Sequence, residues 1–183
     1  MAIVGVMGSG TEQWEEFAAP LGAWLASTGH DLLTGAGKGV MFSVARAFSD
    51  TAGRTGRSIG IVPTRADAQL GFVALAGYPN PFIDLPILTP LPRKEAAAPA
   101  ESLSRNHVNV LTSDIVIALP GGQGTLDEIR LALRYAKPVM CLGPDEAFTS
   151  APPAISRTTR LDDVFRFITK HAALKSLRQA TAG

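Results

Sequence analysis

One stretch of the chain, residues 115–128, limits the possible fold more than any other. It opens with the β-branched apolar run Ile115–Ala118, which is typical of a strand buried on both faces. Three glycines follow it, and the apolar spacing after them is that of a helix. At such a junction a ligand can approach the main chain closely, and it meets the positive end of the helix dipole. The stretch therefore predicts an anion site, above all for phosphate, formed by Gly121, Gly122, Gly124 and Thr125.

Thr125 and Glu128 fit two interpretations, and the spacing leaves both open. In the first, Thr125 is the N-cap of the helix and Glu128 bonds back to its amide, as in a capping box. In the second, the Glu128 carboxylate lies beside the bound ligand as an acid, a base or a hydrogen-bond acceptor. The two interpretations do not exclude each other.

Two further glycine-rich turns follow short apolar strands near the start of the chain. The strands are predicted at Ile3–Met7 and Asp31–Thr34, and helical patterns come after both turns. Lys38, in the second turn, either contacts a phosphate or is a solvated loop lysine. The turns add these candidates for binding phosphate or substrate: Gly8, Ser9, Gly10, Gly35 and Gly37.

The alternation of strands and helices predicts the fold class. We expect a single α/β domain over residues 1–183, with a Rossmann-like parallel sheet, helices on both faces and right-handed crossovers. Another strand begins at Ser58 and is expected to end at Pro63. Residues 64–99 are proline-rich with little periodicity, apart from one candidate strand at residues 82–88. The length of this stretch predicts a mobile flap or cover. Ligands of such sheets bind beyond the carboxyl ends of the strands, where the glycine turns collect.

Net charge and composition limit the classes of partner that this chain is expected to bind. A net charge of +1 gives no general attraction to nucleic acid or to an acidic membrane, and no apolar run is long enough to span a bilayer. The one cysteine, Cys141, lies in an apolar run and is expected to be a buried thiol. No pattern for a metal or a cofactor is found, and we expect a cytoplasmic protein that binds neither nucleic acid nor membrane.

The central stretch also resembles a known motif. Residues 120–128 are similar to the PGGxGTxxE motif of the LOG ("lonely guy") or lysine-decarboxylase-like proteins, which are related to molybdenum-cofactor carriers within the SLOG superfamily. Arg105 lies fifteen residues before Pro120, the spacing at which LOG proteins keep an arginine, although composition alone would place Arg105 at the surface. The segments 3–10, 34–41 and 59–63 resemble other parts of that family.

The resemblance implies a homodimeric enzyme that cleaves the N-glycosidic bond of nucleoside 5′-monophosphates, releasing free base and ribose 5-phosphate, as in cytokinin activation. Arg105 and Glu128 would be its catalytic pair. Such a reaction builds positive charge on the ribose, which a carboxylate stabilises. Arg130 and Arg134, one helical turn apart, either reach a partner's phosphate site or form a solvated helix face.

One residue departs from the LOG pattern. LOG enzymes usually follow the arginine with lysine, whereas this chain has Asn106. The Arg-Asn pair and the approach at Ser113–Ile117 look more like molybdenum-cofactor carrier proteins, which share the fold and bind a pterin phosphate without hydrolysing a nucleotide. Hydrolase and non-hydrolytic carrier therefore remain alternatives, and the sequence does not identify the ligand.

Overall fold

Short apolar runs separated by helical patterns give this chain its order of elements. The computed structural model describes residues 1–92 and 102–181, with side chains as far as Leu177. A short 3-10 helix at Asp145–Phe148 precedes the last strand. The elements in chain order are β1 (Ile3–Met7), α1 (Glu15–Ser27), β2 (Asp31–Thr34), α2 (Val40–Asp50), β3 (Ser58–Asp67), β4 (Gly71–Ala74), β5 (Leu85–Thr89), α3 (Arg105–Thr112), β6 (Ile115–Ala118), α4 (Gln123–Arg134), β7 (Val139–Leu142), β8 (Arg157–Thr158) and α5 (Leu161–Thr181).

The described strands form one sheet in the order β4-β3-β2-β1-β6-β7-β8, with β5 also paired to β3. Every pairing is parallel except that of β3 with β4. The order reverses between β1 and β6, where Met7 pairs with Ala118. Ligands of open α/β sheets bind at such a reversal. The prediction of a Rossmann-like α/β fold is confirmed.

Neighbouring residues of the central strands point to opposite sides, so helices cover both faces. Val6 packs in the core under α1, α2 and α5, whereas Met7 packs in the core under α3 and α4. Burying one such aliphatic side chain contributes about 1.5–3 kcal/mol. Cys141 is buried, as predicted, and burial raises the pKa of its thiol to about 11. None of the described helices is both long and apolar enough to cross a bilayer.

The middle of the chain is more ordered than the sequence predicts. β3 does not end at Pro63 but continues to Asp67 and pairs with the antiparallel β4. Pro63 has no N–H to donate, but its carbonyl accepts a hydrogen bond from the Leu75 amide at 3.0 Å. The irregular chain predicted over residues 64–99 is therefore wrong for residues 64–67 and 71–74, which form strands, whereas the strand expected at residues 82–88 is present as β5. Residues 93–99 of this stretch lie outside the described part of the chain.

Helices α1 and α2 pack closely because Gly22 has no side chain. A Cβ atom at Gly22 would lie 2.3 Å from the Val44 carbonyl oxygen and 3.1 Å from the Phe48 amide nitrogen. Both atoms belong to the α2 backbone and cannot rotate away. The sequence marks neither of these contacts, because residues 22 and 44 meet only when the two helices dock.

We predict that Gly22→Ala destabilises the protein by about 1–3 kcal/mol through overpacking of α1 against α2. In an open helix the same exchange stabilises by about 1 kcal/mol. Gly124→Ala in α4 is the matched control, because a Cβ there would meet no atom within 4 Å. Urea unfolding of both variants checks the prediction. A Gly22→Ala protein as stable as the original would contradict it.

Candidate functional site

The three glycine turns contact one another through their main chains. The Ser9 amide donates to the Pro120 carbonyl at 3.0 Å, and the Val40 amide donates to the Ser9 carbonyl at 2.9 Å. A Cβ at Gly39 would lie 2.3 Å from the Ser9 carbonyl oxygen, and one at Gly121 would lie 2.8 Å from the Ser9 amide nitrogen. The turns after β1, β2 and β6 are therefore joined at the carboxyl edge of the sheet.

A cavity of about 470 Å³, here named the glycine cavity, opens where these turns meet. Most of the predicted site residues line it: Gly8, Gly10, Gly35, Arg105, Gly122, Gly124, Thr125 and Glu128. Three other predicted residues, Ser9, Gly37 and Gly121, are not in its lining. Ser9 and Gly121 hold the turns together, and the Gly37 carbonyl accepts a hydrogen bond from Asn80 at 2.9 Å.

Helix α4 presents its amino terminus to the glycine cavity. It begins at Gln123, with Gly122 as N-cap. A Cβ at Gly122 or Gly124 would meet no atom within 4 Å, so the main chain is open on this side. The first N–H groups of a helix lack partners within the helix and carry its positive end. The geometry suits an anion held by the main chain.

The predicted capping box of Thr125 and Glu128 is wrong. The helix starts two residues before Thr125, because the extended Gly122 is already its N-cap. Thr125 instead packs over Gly121, where a Cβ would lie 2.2 Å from its hydroxyl oxygen. Glu128 accepts a hydrogen bond from Asn109 at 2.6 Å. The structure leaves the other interpretation, and Glu128 lines the glycine cavity.

Arg105 is buried rather than at the surface, with 7% of its area exposed. Its Nη1 atom donates to the Gly35 carbonyl at 2.7 Å and to the Ile61 carbonyl at 3.2 Å. Its guanidinium also lies 5.8 Å from the centre of the Tyr78 ring. These partners offset the free-energy cost of taking the guanidinium charge out of water. Composition alone cannot show that such partners exist.

Asn106 and Asn109 are also buried and join α3 to α4. Asn106 donates from Nδ2 to the Asp127 carboxylate at 2.9 Å and more weakly to the Gly124 carbonyl at 3.4 Å. Asn109, one turn further along, donates to Glu128. Asn109 was not predicted as a site residue, although its position four residues after Arg105 places it on the same helix face. Tyr78 was also missed, because nothing in its local sequence marks it.

Glu128 is buried in the lining of the glycine cavity. Burial raises the pKa of its carboxyl from the ordinary 4.5 to about 7, against the Asn109 hydrogen bond and the Arg105 charge, which lower the pKa. Near neutral pH this side chain is poised between a neutral O–H donor and a carboxylate. Either form has a use, as a donor to an anionic ligand or as a general base.

We predict that the contribution of Glu128 to the free energy of unfolding falls as the pH rises from about 4.5 to about 7. The native state holds the Glu128 proton that the unfolded chain releases, so stability from this group is complete below pH 4.5 and is lost through pH 7. The slope is at most ~1.4 kcal/mol per pH unit. Glu128→Gln should remove this slope in urea titrations at several pH values, and the exposed Glu146→Gln should leave it. An unchanged slope in Glu128→Gln would contradict the prediction.

Two solved structures resemble this chain over nearly its whole length. The molybdenum cofactor carrier protein of Chlamydomonas reinhardtii is 26% identical with a TM-score of 0.70, covering 94% of this chain and 98% of its own. The molybdenum cofactor binding protein of Rippkaea orientalis is 28% identical with a TM-score of 0.66, covering 92% and 96%. This likeness supports a ligand-binding role.

Sequence comparison gives the family. An uncharacterized protein of Archaeoglobus fulgidus is 30% identical over 143 residues, which is 77% of this chain and 80% of the relative. The sequence profile of the SLOG cluster4 family matches residues 1–168. This match includes all three glycine turns and the polar face of α3. The chain belongs to the SLOG cluster4 family.

Proposed function

We propose that this protein binds a phosphorylated pterin of the molybdenum-cofactor type, with the phosphate in the glycine cavity, and carries it without hydrolysing it. The observation that carries the proposal is the use of Asn106. Where LOG enzymes usually have a lysine, this residue bonds to Asp127 and holds α3 against the start of α4. The position therefore supplies a structural amide instead of a second cation beside Arg105.

The bonding of Arg105 supports the same function. The Arg105 Nη1 atom donates to the carbonyls of Gly35 and Ile61, so the side chain fixes the wall of the cavity. Phosphate binding then depends mainly on the main chain around Gly122 and Gly124, with the Arg105 charge behind it. A rigid main-chain site holds an anion without needing to change during binding, as a carrier requires.

Glu128 fits a carrier when it keeps its proton. A neutral carboxyl offers one O–H donor and does not repel a phosphate, whereas a carboxylate in this lining would repel it. The raised pKa of about 7 places both forms within reach near neutral pH, and a bound anion favours the protonated one. The likeness to two molybdenum-cofactor proteins above 25% identity agrees with this use of the cavity.

A LOG-like phosphoribohydrolase is the second candidate, and one observation favours it. The buried Glu128 carboxyl has a pKa of about 7, and the Arg105 charge is close enough to lower that pKa. Such a carboxyl in a cavity lining has the properties of a general acid or base. In that case the carboxylate would stabilise the positive ribose and orient water. The two candidates share the anion site and differ in whether Glu128 acts on the ligand.

We predict that the phosphate group contributes more to the binding affinity than any other part of the ligand. AMP should bind more tightly than adenosine by about 1–3 kcal/mol, the value of one or a few charge-assisted hydrogen bonds. Gly124→Ala should reduce this difference, because its Cβ would enter the open side of the α4 amino terminus. Calorimetry with both ligands on both proteins measures it. If the unchanged protein binds AMP and adenosine with equal affinity, then the glycine cavity does not bind the phosphate.

We predict that the purified protein releases no base from any nucleoside monophosphate and retains a pterin phosphate from its host. Chromatography of incubations with purine and pyrimidine monophosphates tests the first part. Fluorescence and mass spectrometry of the denatured protein test the second. Base release that Glu128→Gln abolishes, without loss of AMP affinity, would establish the hydrolase instead. Glu128 is the better residue to change, because Arg105 also holds the fold together.

A further inference from the structure

A second cavity of about 590 Å³, here named the aromatic cavity, adjoins the glycine cavity. The two cavities share four lining residues, so they are parts of one continuous depression: Thr11, Lys38, Gly77 and Tyr78. Beyond this shared rim the composition changes from glycine main chain to flat apolar side chains. Phe42, Pro79 and Pro81 line the far part, and Gln13 adds an amide.

The far wall is fixed to the second glycine turn. The main-chain N–H of Asn80 donates to the Ala36 carbonyl at 2.9 Å. The Nδ2 atom of the Asn80 side chain donates to the Gly37 carbonyl, also at 2.9 Å. The Asn80 Oδ1 atom accepts from the Phe82 amide at 3.1 Å. The same backbone thus shapes one wall of the glycine cavity and one wall of the aromatic cavity. A ligand that spans both meets a wall already in place, which lowers the entropy cost of binding.

The aromatic side chains are held in position as well. Phe42 packs edge-on against Phe82, with ring centres 5.1 Å apart and an angle of 74° between the rings. The Arg46 guanidinium lies 5.8 Å from the Phe42 ring centre. Tyr78 at the shared rim is held by the contact of its ring with Arg105. Rigid rings at these positions offer flat contact to a planar ligand at little cost in side-chain entropy.

We propose that the aromatic cavity binds the planar heteroaromatic ring of a ligand whose phosphate lies in the glycine cavity. A fused nitrogen heterocycle matches the lining, because its faces are apolar and its edge carries donors and acceptors for the Gln13 amide. Lys38, exposed on the shared rim, faces the link between ring and phosphate. The proposal rests on the proposed binding of a phosphorylated ligand and adds the part of the site that selects its ring.

The test compares GMP with ribose 5-phosphate, which has the same phosphate and sugar but no ring. Calorimetry should show GMP binding about tenfold or more tightly, the usual effect of base stacking on aromatic side chains. Phe42→Leu should remove most of this gain and leave the affinity for ribose 5-phosphate unchanged. Phe72→Leu is the matched control, because Phe72 is 49% exposed on β4 and lines neither cavity; it should change neither affinity.

Two results would overturn the proposal in different ways. If ribose 5-phosphate binds and GMP binds no more tightly, or if Phe42→Leu weakens both ligands equally, then the ring does not occupy the aromatic cavity and phosphate binding stands. If neither compound binds, then the proposed function and the ring site are both wrong. A denaturation midpoint of Phe42→Leu equal to that of Phe72→Leu shows that a loss of GMP binding is not a loss of fold.

Discussion

The close contact of three glycine turns determines the rest of the site. The Ser9 amide and carbonyl bond to the turns on either side, and glycine at residues 39 and 121 is required because a Cβ would collide with the Ser9 backbone. Residues of three separate strands are thereby brought to one edge of the sheet. The strand order reverses there, so no neighbouring helix fills the space, and the glycine cavity is a consequence of the topology.

Around this main-chain site, α3 contributes a face of buried polar side chains. Arg105 reaches the carbonyls beside β2 and in β3, whereas Asn106 and Asn109 both reach α4, at Asp127 and Glu128. A buried polar group is costly without a partner, so these contacts position α3 and α4 relative to each other. They also bury the Glu128 carboxyl, which accepts a hydrogen bond from Asn109. Its raised pKa follows from that packing rather than from any catalytic residue nearby.

Carrier and hydrolase make different demands on the same cavity. Both need an anion site, which the α4 amino terminus offers, and both need room for a ring, which the aromatic cavity provides. A hydrolase also needs an ionised carboxylate and an ordered water at the sugar, whereas a carrier benefits from a neutral carboxyl and a fixed wall. Our proposal of a carrier rests on the structural use of Asn106, which bonds to Asp127.

The sequence by itself determined the fold class and the glycine turns, because hydrophobic periodicity and glycine placement act between residues close in the chain. β2 was predicted with its observed bounds, and most predicted site residues line one cavity. Only the tertiary structure decided that Arg105 is buried, since its partner Gly35 lies 70 residues away. It also decided that Glu128 pairs with Asn109 instead of capping α4, and that β3 continues past Pro63 to β4. Burial, partners and protonation depend on residues that meet only when the sheet and helices assemble, and no local pattern encodes them.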